Sequence, residues 1–282
     1  MKIGIIVNYN KPSAQKTLAA LIGYFKAKKI VPLVEKTGAA KLGFSKYSAT
    51  KSTILKQATL IIALGGDGTL LKAAHIVKHH RIPLLGINLG SLGFLTLFTP
   101  EEAEKAIEAF LNNQCRIEKR MVLEVTLGRE KFYALNDCAI NMGPSCRVIE
   151  LTLFSGQSYI CRLVGDGVVV ATPTGSTAYS LSCGGPIIFP ALEVMVITPI
   201  SPHILSSRSI VIPGTEHLFI KLGSHNEYAM LTVDGQIKRR LYPNQELGIT
   251  KANFDIQLVT PTGRSYYEIL RTKMKWAERE GS

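Results

Sequence analysis

The chain has 282 residues, 46% of them hydrophobic and 19% charged, with 33 Lys and Arg against 21 Asp and Glu for a net charge of +12. That length and apolar share fit one large or two ordinary folded domains rather than a disordered chain, and no apolar run approaches the ~20 residues of a membrane span. The basic surplus suits anionic partners, but no nucleic-acid-binding motif accompanies it, and the five cysteines are scattered without C-x-x-C spacing, against a zinc site or a disulfide scaffold.

The first third alternates strand and helix signals. Ile3 to Asn8 is an apolar run too short for a signal-peptide core, so it reads as a first buried strand and the cytoplasm is the expected compartment. Pro12 to Lys29 reads as a helix, with Leu18, Leu21, Ile22 and Phe25 on one face. Val31 to Val34 is apolar again. Thr59 to Leu64 is a strong strand, and Leu70, Ala73, Ala74 and Val77 mark another helix face. Pro83 to Asn88 is a strand. Thr99-Pro100-Glu101-Glu102 opens a helix to about Asn112, with Thr as cap, Pro at the first position and Glu three residues after the cap. This alternation predicts a mainly parallel sheet covered by helices over residues 1–115.

From about residue 116 the rhythm changes to successive strands. Met121 to Leu127, Phe132 to Asn141, Ile149 to Phe154, Tyr159 to Leu163 and Val168 to Ala171 come first. Ile210 to Ile212, Leu218 to Leu222, Met230 to Val233 and Ile256 to Val259 follow. Residues 116–258 therefore read as an all-β, sandwich-like second domain. The charged tail, 259–282, places Ile269, Lys273 and Trp276 on one helix face and is expected to pack back on the first domain.

Leu64-Gly65-Gly66-Asp67-Gly68-Thr69 lies between a buried strand and a helix. Glycines let backbone N–H groups approach a phosphate, and the helix start favours anions. Asp67 would repel a polyphosphate unless a metal or a proton intervenes, a local conflict typical of functional sites. A plain strand-to-helix turn with Asp67 as helix cap is the alternative. Neither G-x-x-x-x-G-K-[ST] nor G-x-G-x-x-G is present. Asn88 to Leu95 forms a second Gly-containing turn after a strand, where the ligand crevice of a parallel sheet lies. His75 and His79 have the i, i+4 spacing of metal ligands but no third ligand, so they read as ordinary helix histidines.

The third segment, Gly165 to Ser182, runs from an apolar strand into Thr172-Pro173-Thr174-Gly175-Ser176-Thr177-Ala178-Tyr179-Ser180. Its hydroxyls suit sugar and base edges, and Tyr179 offers a ring on which an adenine stacks. Gly-Gly-Asp-Gly-Thr resembles the signature of a kinase superfamily that includes NAD kinases, diacylglycerol-type lipid kinases and, more distantly, phosphofructokinases. The blocks Gly65 to Thr69, Asn88 to Thr96, Leu135-Asn136-Asp137, Asp166 to Pro186, Pro199 to His203 and Asp234-Gly235-Gln236 together resemble the NAD kinase family, and the long Thr/Ser/Tyr block separates it from the lipid kinases.

The resemblance implies transfer of a phosphoryl group from ATP to the adenosine-ribose 2′-hydroxyl of NAD, giving NADP and ADP. It makes Asp67 the proton acceptor facing that hydroxyl, in the turn of Gly65, Gly66, Gly68 and Thr69. Asn136 and Asp137 grip the ribose and base of NAD. Asp166, Thr177, Ala178, Tyr179 and Ser182 complete the pocket, with Phe94, Ser180, Leu181, Arg147 and Gln236 also assigned to binding. Lys72, one turn into the helix, reaches a phosphate or is a solvated helix lysine. A divalent ion, Mg²⁺ by preference, arrives with ATP and not in a protein cage. A homodimer or homotetramer is implied; nucleic acid and membrane are not expected partners. Asp137 departs from the family's commoner Glu, Cys183 from Ala, and Ser201 and Ser209 from Cys and Pro.

Overall fold

The computed structural model describes residues 1–143 and 148–276. By its internal contacts the chain divides into two units, residues 1–119 with 256–282, and residues 120–255.

In the first unit a seven-stranded sheet has the order β3-β2-β1-β4-β5-β19-β6. Its strands are β1 (Lys2–Val7), β2 (Val31–Glu35), β3 (Ser48–Ala49), β4 (Leu60–Gly65), β5 (Leu84–Asn88), β6 (Arg116–Arg120) and β19 (Ile256–Thr260). Pairing is parallel from β3 through β5 to β19. Parallel strands are covered on both faces, which is why β4 and β5 are buried at every residue. Helices α1 (Ala14–Ala27) and α4 (Asp67–Val77) match the predicted periodicity, and α5 (Ala103–Leu111) follows the predicted start signal. Leu18, Leu21, Ile22 and Phe25 of α1 enter the core as expected.

Two short helices were not legible: α2 (Lys36–Leu42), whose start is capped by the Glu35 carboxylate, and α3 (Lys51–Gln57), capped by Thr50. Each is two turns long, too short for a 3.6 period to emerge. The expected Thr99–Glu102 box exists: the Thr99 N–H donates to Glu102 Oε2 (2.9 Å) and the Glu102 N–H to Thr99 Oγ1 (3.4 Å). Regular helix nevertheless begins only at Ala103, after a turn. The tail forms α7 (Tyr266–Met274) and belongs to the first unit. It stops short of Trp276 because Lys275 turns left-handed (φ 53°), so Trp276 does not share the face of Ile269 and Lys273.

The second unit is built from two antiparallel six-stranded sheets. One has the order β11-β10-β15-β18-β7-β8, with β7 (Leu123–Leu127), β8 (Glu130–Ala134), β10 (Ile149–Ser155), β11 (Ser158–Gly165), β15 (Leu218–Leu222) and β18 (Glu246–Lys251). The other has the order β14-β13-β12-β9-β16-β17, with β9 (Asp137–Asn141), β12 (Gly167–Ala171), β13 (Val194–Ile200), β14 (Ile210–Pro213), β16 (Ala229–Val233) and β17 (Ile237–Leu241). Both contribute to one core: Val125, Leu151 and Ile220 from the first meet Ile140, Val168 and Ile197 from the second. Alternate residues of the second sheet, Ala139, Val169, Ala171 and Val196, point to its other face. That face is covered by the segment carrying Cys183 and Ile188. The Thr172–Ile188 stretch, which includes the one-turn helix α6 (Tyr179–Ser182), thus lies over a doubly buried sheet.

The expected single strand Phe132 to Asn141 is two strands, β8 and β9. The break has a physical cause: the amides of Leu135, Asn136 and Asp137 donate to the Asp234 carboxylate (2.9, 2.8 and 3.1 Å).

Candidate active site

In the first unit, β4 ends at Gly65, Gly66 precedes α4, and Asp67 is its first residue. A carboxylate there is favoured by the helix dipole. Its oxygens do not point into open space. Asp67 Oδ1 accepts from the Leu95 N–H (3.1 Å), the Thr96 N–H (2.9 Å) and the Thr96 hydroxyl (2.8 Å), and Oδ2 accepts from the Phe94 N–H (2.9 Å). A carboxylate offers about four lone-pair positions. The capacity left is therefore on Oδ2.

The loop that grips Asp67 comes this close because residue 93 is glycine; a Cβ there would lie inside the Asp67 carboxylate and against Thr96 Oγ1. Thr96 is itself fixed, accepting from Asn88 Nδ2 (2.7 Å), while Asn88 Oδ1 accepts from the Gly90 N–H (2.7 Å). Asn88 and Thr96 are buried. So the second Gly-containing turn packs on Asp67 through its backbone amides and through these two side chains, which were not singled out individually. The available signal was a pair of polar residues flanking a glycine turn at the carboxyl end of an otherwise apolar strand.

Beside this network lies a cavity of ≈ 420 Å³ lined by Val7, Asn8, Tyr9, Asn10, Lys11, Gly66, Gly68, Thr69 and Lys72. Gly66, Gly68, Thr69 and Lys72, predicted from the sequence, are thus brought together. Lys11 was missed, although it follows β1 at the same carboxyl edge of the sheet as the glycine turn. With two ammonium groups and the start of an eleven-residue helix, the cavity has the charge and the donors that an anion such as a phosphate chain requires.

In the second unit, Thr172 to Tyr179 folds against Leu135–Asp137. The Thr172 N–H donates to the Asn136 carbonyl (2.8 Å) and the Thr172 hydroxyl to the Leu135 carbonyl (2.6 Å). Gly175 lies so close to the Asn136 backbone that any Cβ would overlap it. Several hydroxyls of this run serve the fold: Ser176 Oγ bonds Pro173 and Ile188, and the fully buried Ser180 Oγ bonds Thr198 Oγ1 (2.9 Å). The Ser180 hydroxyl is therefore committed internally. Tyr179 and Ser182 are exposed and Thr177, Ala178, Leu181 and Asp166 half-buried, so all six remain accessible.

Asp137, at the start of β9, is buried. Desolvation, reinforced by the neighbouring Asp234 carboxylate, raises its pKa to about 7 against the opposing hydrogen bond from the Tyr179 backbone. Asp137, Asp166 and Cys183 all act on Tyr179, whose hydroxyl is pushed up chiefly by burial. The structure thus gathers Asp137, Asp166, Tyr179 and Cys183, with Asn136 adjacent. Gln236 is exposed on the hairpin turn that carries Asp234. Arg147 lies outside the described residues. Lys78, His79 and His80 form a short 3₁₀ turn in which His79 and His80 stack, and His79 therefore leaves the α4 face expected to carry it with His75. Among the described residues no group of three His, Cys, Asp or Glu is placed to hold a metal, and no helix is long and apolar enough to cross a membrane.

Residues 3–115 match the ATP-NAD kinase N-terminal domain and residues 135–267 the ATP-NAD kinase C-terminal domain. This chain belongs to the NAD kinase family. It is 41% identical over 283 residues to the NAD kinase of Geotalea daltonii and 40% identical to that of Geobacter metallireducens, with 99% of each chain covered in both cases. Among solved structures it resembles a yeast NADH kinase complexed with NADH, at a TM-score of 0.89 and 26% identity over 100% of this chain and 89% of that one. An Archaeoglobus fulgidus NAD kinase in complex with ATP has the same fold, at a TM-score of 0.80 and 22% identity over 98% of this chain and 99% of that one. As an NAD kinase, the chain transfers a phosphoryl group from ATP to NAD, forming NADP and ADP.

Proposed function

We propose that Asp67 orients the adenosine-ribose 2′-hydroxyl of NAD through Oδ2 and takes its proton late, as phosphoryl transfer proceeds. The supporting observation is the unequal loading of its oxygens, three donors on Oδ1 against one on Oδ2. Such a carboxylate is rigidly aimed, which suits positioning the hydroxyl. A sugar hydroxyl titrates many units above a carboxyl at ~3.9, and each unit costs ~1.4 kcal/mol, so full deprotonation beforehand is out of reach. Phosphoryl transfer through a loose transition state asks chiefly for position and charge neutralisation.

In the cavity beside Asp67, Lys11 and Lys72 neutralise the ATP phosphates while the Gly66–Thr69 amides cradle them. The residues here do not suit a protein-held cation: Asp67 already accepts four hydrogen bonds, and the other charged groups lining the cavity are lysines. The divalent ion is read as substrate-borne, and no step is routed through it. In the second unit, Asn136, Asp137, Asp166, Thr177, Ala178, Tyr179, Ser182 and Gln236 are read as the dinucleotide-binding set, with Tyr179 as the stacking face. Leu181 adds apolar contact. Phe94 contributes its amide to Asp67.

A cytoplasmic homo-oligomer is the companion reading. Assembly is supported by the edge strand β14, whose Ile210 and Val211 are 39% and 45% exposed. Sedimentation of the purified chain tests assembly, a monomer at micromolar concentration counting against it. Incubation with NAD, ATP and Mg²⁺, followed by an NADP assay of wild type and Asp67→Asn, tests the assigned role.

A further inference from the structure

The amides that bind Asp67 belong to a loop, Gly93 to Phe98, which β5 holds from one side, the Asn88 N–H donating to the Phe98 carbonyl (2.8 Å), and which two cations from the far end of the chain hold from the other. On its downstream side Arg264 Nη1 donates to the Leu97 carbonyl (2.8 Å), and Arg264 Nη2 pairs with Glu102 Oε1 (3.1 Å). The other oxygen of Glu102 accepts from the Thr99 N–H (2.9 Å). One guanidinium therefore joins the end of the loop to the start of α5. On the upstream side the Lys273 ammonium stands 5.9 Å over the Phe94 ring. Phe94, Leu95 and Thr96, the three amide donors to Asp67, lie between these two attachments.

The platform carrying both cations is firm. Ser265 and Glu268 close a reciprocal cap at the start of α7 (2.7 and 3.2 Å), and Ile269 and Leu270 are buried. Beside it a cavity of ≈ 270 Å³ opens between Val259–Gly263 and Phe98, Glu102, Ala106 and Ala109, while Leu97 and Phe98 themselves enter the core.

We propose that Arg264 and Lys273 are positioning residues for phosphoryl transfer, fixing the Phe94–Thr96 amides that aim the Asp67 carboxylate. The inference rests on the reading of Asp67 as the group facing the acceptor hydroxyl. The Arg264–Glu102 pair is partly exposed, so it adds little to stability. Its weight falls on rate, because a displacement of about 1 Å at a reacting centre costs up to about a hundredfold. A merely structural role would do the reverse and lower folding stability without selecting kcat.

The test compares wild type with Arg264→Ala, Arg264→Lys and Lys273→Met, using Lys28→Ala as a control at the exposed Lys28–Glu108 pair. We expect kcat to fall about tenfold or more in Arg264→Ala, with the NAD dissociation constant changed less than about twofold. Arg264→Lys reaches one acceptor and not both, so its kcat lies between. Amide exchange at Leu95 and Thr96 accelerates in Arg264→Ala and Lys273→Met and not in the control. Unchanged kcat and exchange would overturn the proposal. So would a kcat loss that only tracks a lost folded fraction by thermal melting; if Arg264→Ala does not fold, the other two variants decide. Asp67→Asn is assayed alongside: if it keeps turnover while the strap variants still loosen the loop, the reading of Asp67 fails and not the attachment.

Discussion

Thr96 donates twice to one oxygen of Asp67, through its N–H at 2.9 Å and its hydroxyl at 2.8 Å, and accepts from Asn88 in turn. A side chain without a hydroxyl loses its own bond to Asp67 and the acceptor for Asn88 at once, while the N–H bond stays. Thr96→Val keeps the shape, leaves the buried Asn88 amide without this acceptor, and is expected to cost about 1–3 kcal/mol of stability. Its kcat should fall about tenfold with NAD affinity held, as for an interaction that matters to the transition state. Denaturant unfolding together with steady-state kinetics checks both halves.

Gly93→Ala attacks the same network from the backbone. The new methyl competes for the volume of the Asp67 carboxylate, so either the loop or the carboxylate moves. Turnover is expected to drop by about a hundredfold or more, given how steeply rate depends on placement. Near-normal kcat would mean that Asp67 does not need this cradle.

Lys11 and Lys72 share the phosphate cavity, so their loss should be felt by the donor nucleotide. Each Lys→Ala change is expected to raise KM for ATP about tenfold and leave KM for NAD nearly unchanged. Equal effects on both substrates would place the lysines elsewhere.

Much of this was legible in the sequence. The alternating first third and the β-rich remainder follow from periods of 3.6 and 2, and the glycine turn with Asp67 stood out because acid and phosphate conflict locally. What was not legible depends on long-range closure. Asp234 breaks the Phe132–Asn141 run from 97 to 99 residues away, and Arg264 reaches Leu97 across 167. The Thr172–Ser182 hydroxyls illustrate a further limit: composition alone does not separate Ser180, turned inward to Thr198, from the exposed Ser182.

Asp137 gives a pH prediction. Its pKa is raised to about 7 by burial and by Asp234, above the ordinary 3.8 that it regains on unfolding. Between these values the folded state holds a proton that the unfolded state has released, so this residue's contribution to stability falls as pH rises from 4 to 7 and is flat above. Asp137→Asn removes the dependence. It should therefore be more stabilising at pH 8 than at pH 5, by about 1–4 kcal/mol. Parallel thermal melts at the two pH values check this; an equal shift at both would deny the titration.

The central claim is that Asp67 serves the acceptor hydroxyl and not nucleotide binding. The most direct measurement is Asp67→Asn in a paired assay of NADP formation from NAD and Mg–ATP and of NAD binding at equilibrium. The expected result is NADP formation reduced by about a thousandfold or more with NAD bound about as tightly as by wild type. Turnover within about tenfold of wild type, or loss of NAD binding in step with turnover, would contradict it.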